Sequence, residues 1–389
     1  MMTIHCRPGE LWVEDQEDIE RLQKAGVGSL REGKLWLTIE EALYLVAFQN
    51  ATCQEGDQRL GFGELAARFP EKRLFVRYNA YRDWKDRGLV VERVRSVQGK
   101  QQANLKRYPT RGLRPEKLAA TATWFPDDLF AVIEDEAVGR QLFQGLWIGQ
   151  YGIYKQDRGS LLTLDFMETA LLAKHFHLPV VDVRTGKKLK HGDLIRQAEK
   201  RRPYATQLYE VYEDWRLQGY VVKSGFKFGS HFRIYFPGAA PGKLDYTHSK
   251  HVLHVFPKQE RLLVSEWSRA VRVAHGVRKT FLLGIPELKD EDYQEAAADF
   301  LAYRRKNVGG NWVRETTGDR PRYLMAALSE EEHIGGLELA SLLKRANDLG
   351  LELLLSITDR ETAITYYVLK QVELPGSRFA YYEIEWMKP

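Results

Sequence analysis

Three polar side chains in the stretch Gly219 to Ile285 bring together a phenol, an imidazole and an ammonium: Tyr235, His248 and Lys279. No carboxylate pair accompanies them. Splitting a ribose phosphodiester by attack of its own 2′-hydroxyl needs a base for that hydroxyl, an acid for the departing 5′-oxygen and a cation for the phosphorane charge. These three types fill those roles, and because the nucleophile belongs to the substrate, no serine or cysteine is required. Each residue also has a plainer reading, as a packing tyrosine or an exposed strand end. A metal site built from His248, His251 and His254 is the competing chemistry. On one strand His248 and His254 would point one way and His251 the other, and no HExxH or paired cysteines support it, so neither metal nor cofactor is expected.

For the three to converge, each must stand at the end of an element. The run HFRIY alternates as a strand and stops at Tyr235, just before the turn FPGAAPG. His248 is expected to open the next strand. A helix with Trp267, Ala270, Val271, Ala274 and Val277 on one face then leads to the buried strand TFLLGI, which Lys279 opens.

The ordered run Gly219-Tyr220-Val221-Val222, Gly225-Phe226-Lys227-Phe228-Gly229, Phe232-Arg233-Ile234-Tyr235, His248-Ser249 and Arg269 to Lys279 closely resembles the catalytic unit of archaeal tRNA-splicing endonucleases. The turn between Tyr235 and His248 is longer than the family's. The resemblance implies Tyr235 as general base, His248 as general acid and Lys279 as stabiliser of the pentacoordinate phosphate. It also implies precursor tRNA, or other bulge-helix-bulge RNA, as substrate, and a 2′,3′-cyclic phosphate and a 5′-hydroxyl as products. Bulged nucleotides are unstacked and can be gripped where A-form grooves cannot. In the family an arginine at the place of Arg272 stacks on a bulged base with a second arginine, for which Arg304 or Arg305 is the candidate here. Lys155, in the basic loop Tyr154 to Arg158, is a further RNA-binding candidate.

An internal repeat sets the wider organisation. Tyr81-Arg82-Asp83-Trp84 followed by Gly88-Leu89-Val90-Val91 returns as Tyr212-Glu213-Asp214-Trp215 and Gly219-Tyr220-Val221-Val222, 131 positions on. Leu337 to Ile357 matches Ser265 to Ile285, 72 positions back, with Leu351 in the place of Lys279 and Arg320 in that of His248. The expected architecture is therefore α/β (α+β), made of repeated small mixed domains. Residues 1–100 form a non-catalytic half-unit, 101–118 a basic linker, 119–224 and 225–308 the two domains of the catalytic unit, and 309–389 a structural half-unit without the triad. Within 10–94, the glycines at 56, 61 and 63 read as a loop. The order of units resembles the three-unit, homodimeric form of the archaeal enzyme. In that form acidic residues of a hairpin loop, here Asp359 and Glu361, dock on the partner copy.

Composition fits this reading without demanding it. Apolar residues make up 44% and charged residues 29% of 389, with a net charge of +5, compatible with a polyanionic partner. Two cysteines, Cys6 and Cys53, argue against a disulfide scaffold and for a reducing, cytoplasmic setting. No long apolar run or leader points to a membrane. The rival function is a non-catalytic RNA-binding or assembly subunit, against which the chain keeps all three triad members. A metal-dependent DNA nuclease would need clustered carboxylates.

Overall fold

The computed structural model describes residues 2–97, 105–152, 159–242 and 248–389. The chain opens with β1 (Thr3–Arg7), β2 (Glu10–Val13), α1 (Gln16–Lys24), β3 (Ser29–Arg31), β4 (Lys34–Trp36), α2 (Ile39–Phe48), β5 (Thr52–Glu55), β6 (Gln58–Leu60), α3 (Phe62–Arg68), α4 (Leu74–Asp86) and β7 (Val91–Arg93). A short strand, β8 (Lys106–Arg107), follows. The same succession then recurs: β9 (Ala122–Phe125), β10 (Phe130–Ile133), α5 (Glu136–Leu146), β11 (Gln150–Tyr151), β12 (Leu162–Asp165), α6 (Phe166–His175), β13 (Val180–Asp182), β14 (Lys188–Leu189), α7 (His191–Glu199), α8 (Ala205–Leu217) and β15 (Val221–Ser224). Each copy makes a six-stranded sheet of one order, β3-β4-β2-β1-β5-β6 and β11-β12-β10-β9-β13-β14.

Local chemistry explains why the copies fold alike. Thr38 with Glu41, and Asp165 with Glu168, form capping boxes that start α2 and α6. The two glutamates, both buried, also accept the amides of Gly28 and Gly149, each at 2.9 Å. α4 and α8 end at glycines that continue in the left-handed region, Gly88 at φ 72° and Gly219 at φ 89°. The loop expected around Gly56, Gly61 and Gly63 is instead a hairpin and a helix. Gly56 (φ 60°) turns β5 into β6, and Gly61 is the N-cap of α3. Glycine marked the joints there and hid the short elements between them.

The rest of the chain builds one large sheet from β16 (Phe232–Tyr235), β17 (His251–Val255), β19 (Thr280–Ile285), β20 (Phe300–Ala302), β23 (Tyr323–Ser329), β25 (Glu352–Thr358), β26 (Ile364–Glu373) and β27 (Ala380–Met387). Smaller pairs are β18 (Arg261–Leu263) with β24 (His333–Gly335), and β21 (Arg305–Val308) with β22 (Asn311–Arg314). The helices are α9 (Val264–Gly276) and α10 (Gly336–Asp348). The strand order is β15-β16-β17-β19-β27-β26-β25-β23-β20-β7, with β8 beside β26. Alternation divides the core. Leu253 and Leu282 face the second small sheet, while Val252, Phe281 and Leu283 face α9 and α10 on the other side. The first small sheet packs beneath Met325, Leu354 and Tyr366.

Two halves of this sheet repeat one another in register. β17 runs parallel to β19 from His251 opposite Thr280, and β23 runs parallel to β25 from Tyr323 opposite Glu352, 72 residues later in both strands. β7 pairs with β20 as β15 pairs with β16. The first and last parts of the chain thus complete one unit around the central one. Phe300 to Ala302, grouped by sequence with the central unit, pair instead with β23 of the C-terminal half and β7 of the N-terminal part, and Arg305 to Val308 pair with β22. The insertion ELKDEDYQEAAADF had masked that switch. The stretch read as a linker is held from Lys106 onwards: β8 pairs with β26, and buried Tyr108 donates its hydroxyl to Glu383.

Candidate active site at one edge of the large sheet

Strand register makes the site. Ile234 of β16 stands opposite His251 of β17, and His251 opposite Thr280 of β19. Because β16 is antiparallel to β17 and β17 parallel to β19, one step beyond that row brings Tyr235, Lys250 and Lys279 to the same edge. The tyrosine ring is 3% exposed, packed at 4.9 Å against Trp147. Its hydroxyl oxygen accepts from Arg233 Nη1 at 3.2 Å. Arg233 is itself fixed by donating Nε to the Ser224 carbonyl at 2.7 Å.

Lys279 follows α9 through a tight exit in which its amide bonds to the Ala274 carbonyl at 2.9 Å. Its ammonium lies 5.3 Å over the Phe228 ring and donates to the carbonyl of buried Ser249. Burial, then the charges of Arg233 and Lys250, hold its pKa below the ordinary lysine value. Phe228 is placed by the turn GFKFG, where a Cβ on Gly225 would meet Ser230 Oγ at 2.5 Å and the Phe232 amide nitrogen at 2.8 Å. Only glycine fits there.

His248 does not open a strand. β17 begins at His251, and His248 sits exposed in the preceding loop, beside the Ser249 carbonyl that Lys279 grips. Pairing stops at His251 because its partner strand ends at Tyr235, just before the turn at Pro237. Val277, expected on the buried face of α9, is 48% exposed as the helix C-cap.

The other two histidines have separate surroundings. His251 is caged by Tyr108 and Phe236 at 5.2 and 5.4 Å, and burial pushes its pKa down to about 4. His254, on the opposite face, lies 4.2 Å from His231 and is likewise held at about 4 by burial. The three imidazoles do not converge. Among the described residues no group of three or more His, Cys, Asp or Glu side chains is placed to hold a metal ion.

The remaining candidates are dispersed. Arg272, on α9, donates to the Tyr367 hydroxyl at 3.2 Å. Arg304 and Arg305 follow β20, seven strand spacings from β16 and so about 30 Å along the sheet. They are not brought to Tyr235, since β20 belongs to the other half. Lys155 lies outside the described residues. Asp359 and Glu361 are in the turn between β25 and β26, where Asp359 Oδ1 accepts the amides of Glu361 and Ala363, both at 2.9 Å. Lys250, Ser249 and Trp147 escaped the sequence reading. So did Tyr303, which follows Ala302 of β20 as Tyr235 follows Ile234 of β16. Aligning registers around the repeat is the signal that finds it.

Comparison with known proteins bears on this edge directly. Residues 206–294 match the family described as tRNA intron endonuclease, catalytic C-terminal domain. The chain is 34% identical over 152 residues to a tRNA-splicing endonuclease of Methanopyrus kandleri, covering 39% of this chain and 79% of that protein. A tRNA-splicing endonuclease of Hyperthermus butylicus is 35% identical over 166 residues, 42% of this chain and 88% of its own. One of Pyrococcus horikoshii is 37% identical over 139 residues, 36% and 75% respectively. The matched segment spans Tyr235, His248 and Lys279, and with relatives covered over most of their length, this RNA endonuclease belongs to the tRNA-splicing endonuclease family.

Proposed function

We propose that the chain cuts precursor tRNA at intron boundaries in bulge-helix-bulge RNA, without metal, through Tyr235, His248 and Lys279. Tyr235 takes the proton of the 2′-hydroxyl, whose oxygen attacks the adjacent phosphorus. The P–O5′ bond breaks as His248 protonates the leaving oxygen, giving a 2′,3′-cyclic phosphate and a 5′-hydroxyl. Lys279 and Arg233 hold the negative charge of the phosphorane, and Arg233 also stabilises charge on the phenol oxygen. The observation that carries this reading is the gathering of Arg233, Lys250 and Lys279 at one edge, where burial and then the two neighbouring charges lower the Lys279 pKa. Cations that repel one another around a cleft are relieved by an anionic ligand. Arg272 stacks on a bulged base in this reading.

The flanking half-units are structural: Arg320 and Leu351 stand where the central unit has His248 and Lys279. Two copies of the chain form a cytoplasmic homodimer, in which the turn of Asp359 and Glu361 enters a basic cleft of the partner copy. A cleft of about 490 Å³ lined by Arg111, Arg114, Arg216, Gly219 and Gly238 has the size and charge for it.

His248→Ala is expected to slow cleavage by about 10² to 10⁴-fold with RNA binding kept, whereas His251→Ala and His254→Ala leave the proton step intact. Cleavage in excess EDTA should proceed, with cyclic phosphate ends. A large loss confined to the His251 or His254 variant, or activity abolished by chelator and restored by magnesium with the RNA fold unchanged, would overturn the assignment.

A further inference from the structure

A second cleft occupies the place in the other unit that corresponds to the cleft lined by Gly219 and Tyr220 in the central one. It encloses about 700 Å³ and is lined by Trp84, Leu89, Arg304, Arg305, Trp312 and Arg322, with Glu315 and Pro389. Trp84 and Leu89 are the repeat counterparts of Trp215 and Tyr220. Tyr303, in the position of Tyr235, is buried and its hydroxyl is taken by Glu92. The chemistry of the triad is gone from this side, yet the mouth of the cleft is not closed over.

Two features of that mouth need a ligand to explain them. The first is Trp312 on the β21–β22 hairpin, 71% exposed, with Val308 and Val313 beside it at 54% and 46%. A large indole left in water on a projecting ribbon gains nothing for the fold. The second is charge. Residues 304–322 carry six Lys or Arg against two acids, an excess of four where the whole chain has five. Lys306 pairs with Asp319 and Arg322 with Glu352. Arg305 and Arg314 donate to the main-chain carbonyls of Arg87 and Lys24, so hydrogen bonds hold them in place, and among the described residues neither forms an ion pair with an acid. Glu315 is engaged by the Arg304 amide.

We propose that this cleft is a non-catalytic nucleotide-binding subsite, in which an unpaired base of RNA stacks on Trp312 while Arg304, Arg305 and Arg322 contact the phosphates on either side of it. An exposed aromatic face set among guanidinium groups is the arrangement that grips unstacked nucleotides irrespective of sequence. Tryptophan and arginine also serve protein interfaces, and it is the excess of positive charge, which phosphates neutralise, that favours RNA here. The subsite lies in the same sheet as the active-site edge, so a folded RNA held at one can be steadied at the other. The half-unit without a triad would then grip substrate as well as support the fold.

The test measures equilibrium binding of a precursor RNA carrying a 2′-deoxy nucleotide at the scissile position, so that no cleavage intervenes. Trp312→Ala is expected to weaken binding about ten-fold and Trp312→Phe to restore most of it, because stacking needs a π-face rather than an indole. Arg305→Glu should lower the slope of log K against log salt by about one, the mark of a lost phosphate contact. Trp312 is on the surface, and an unchanged melting curve for each variant shows that the fold is kept. Equal affinity of Trp312→Ala and the parent overturns the proposal. So does a change in sedimentation with RNA affinity unaltered, which would make the hairpin a protein contact.

Discussion

Tyr235 and Arg233 sit two residues apart on one strand face, so the same backbone sets the phenol and the guanidinium that serves it. Arg233 also raises the electrostatic cost of charging Lys279. Arg233→Ala is therefore expected to raise the Lys279 pKa while lowering the cleavage rate about ten-fold, a pairing that side-chain NMR titration and single-turnover kinetics can read together. The buried imidazoles predict a pH response of the fold. His251 and His254 have folded pKa values near 4, below the ordinary 6.5. Between those values the unfolded chain binds protons that the folded chain refuses. Their contribution to stability is thus complete above pH 6.5 and is lost as the pH falls towards 4. Melting temperatures should drop over that interval, and less so in His254→Phe.

At the scale of elements, the exit from α9 holds a non-glycine residue in the left-handed region. Arg278 holds φ at 55°, while its counterpart 72 residues on is Gly350 at φ 65°. Both exits close with the same bond, from the Lys279 amide to Ala274 and from Leu351 to Ala346. An arginine in the left-handed region is strained by about 1–2 kcal/mol, partly offset because glycine is freer in the unfolded chain. Arg278→Gly is expected to stabilise the protein by about 0.5–1 kcal/mol, measured by chemical denaturation. The GFKFG turn predicts the opposite sign. Gly225→Ala drives a methyl into Ser230 and the Phe232 amide, costing about 1–3 kcal/mol and displacing Phe228 from beneath Lys279.

Across the whole molecule, one continuous sheet joins the catalytic unit to its counterpart through the antiparallel pair β26 and β27. Each half rests on its own six-stranded sheet, and no described helix is long and apolar enough to cross a membrane. What remains outside is the acidic turn after β25. Asp359 spends one carboxylate oxygen on its own loop, and Glu361 is exposed. Asp359→Lys/Glu361→Lys is expected to shift the sedimenting species from dimer to monomer and to reduce cleavage, and higher salt should weaken the dimer of the parent. A double mutant that stays dimeric and fully active would remove the docking role.

The strand ending at Tyr235, the helix before Lys279 and the repeats at 131 and 72 positions were legible in the sequence. Periodicity, capping boxes and glycine stops are local signals, written within a few residues of the element they form. The proposed triad rests on residue types, their order and the family resemblance, and Leu351 stands in the repeat where the central unit has Lys279. Long-range pairing was not legible. That β20 turns away from the central unit to join β7 and β23 depends on contacts between residues more than two hundred positions apart. For that reason Arg304 and Arg305, adjacent in sequence to the central unit, stand at the far end of the sheet. His248 was expected to open the strand, but pairing ends where the partner strand turns, a boundary fixed by register rather than propensity. Residue chemistry and the local periods belong to the sequence; which edges meet, and so which cations share a cleft, was decided only when the sheet closed.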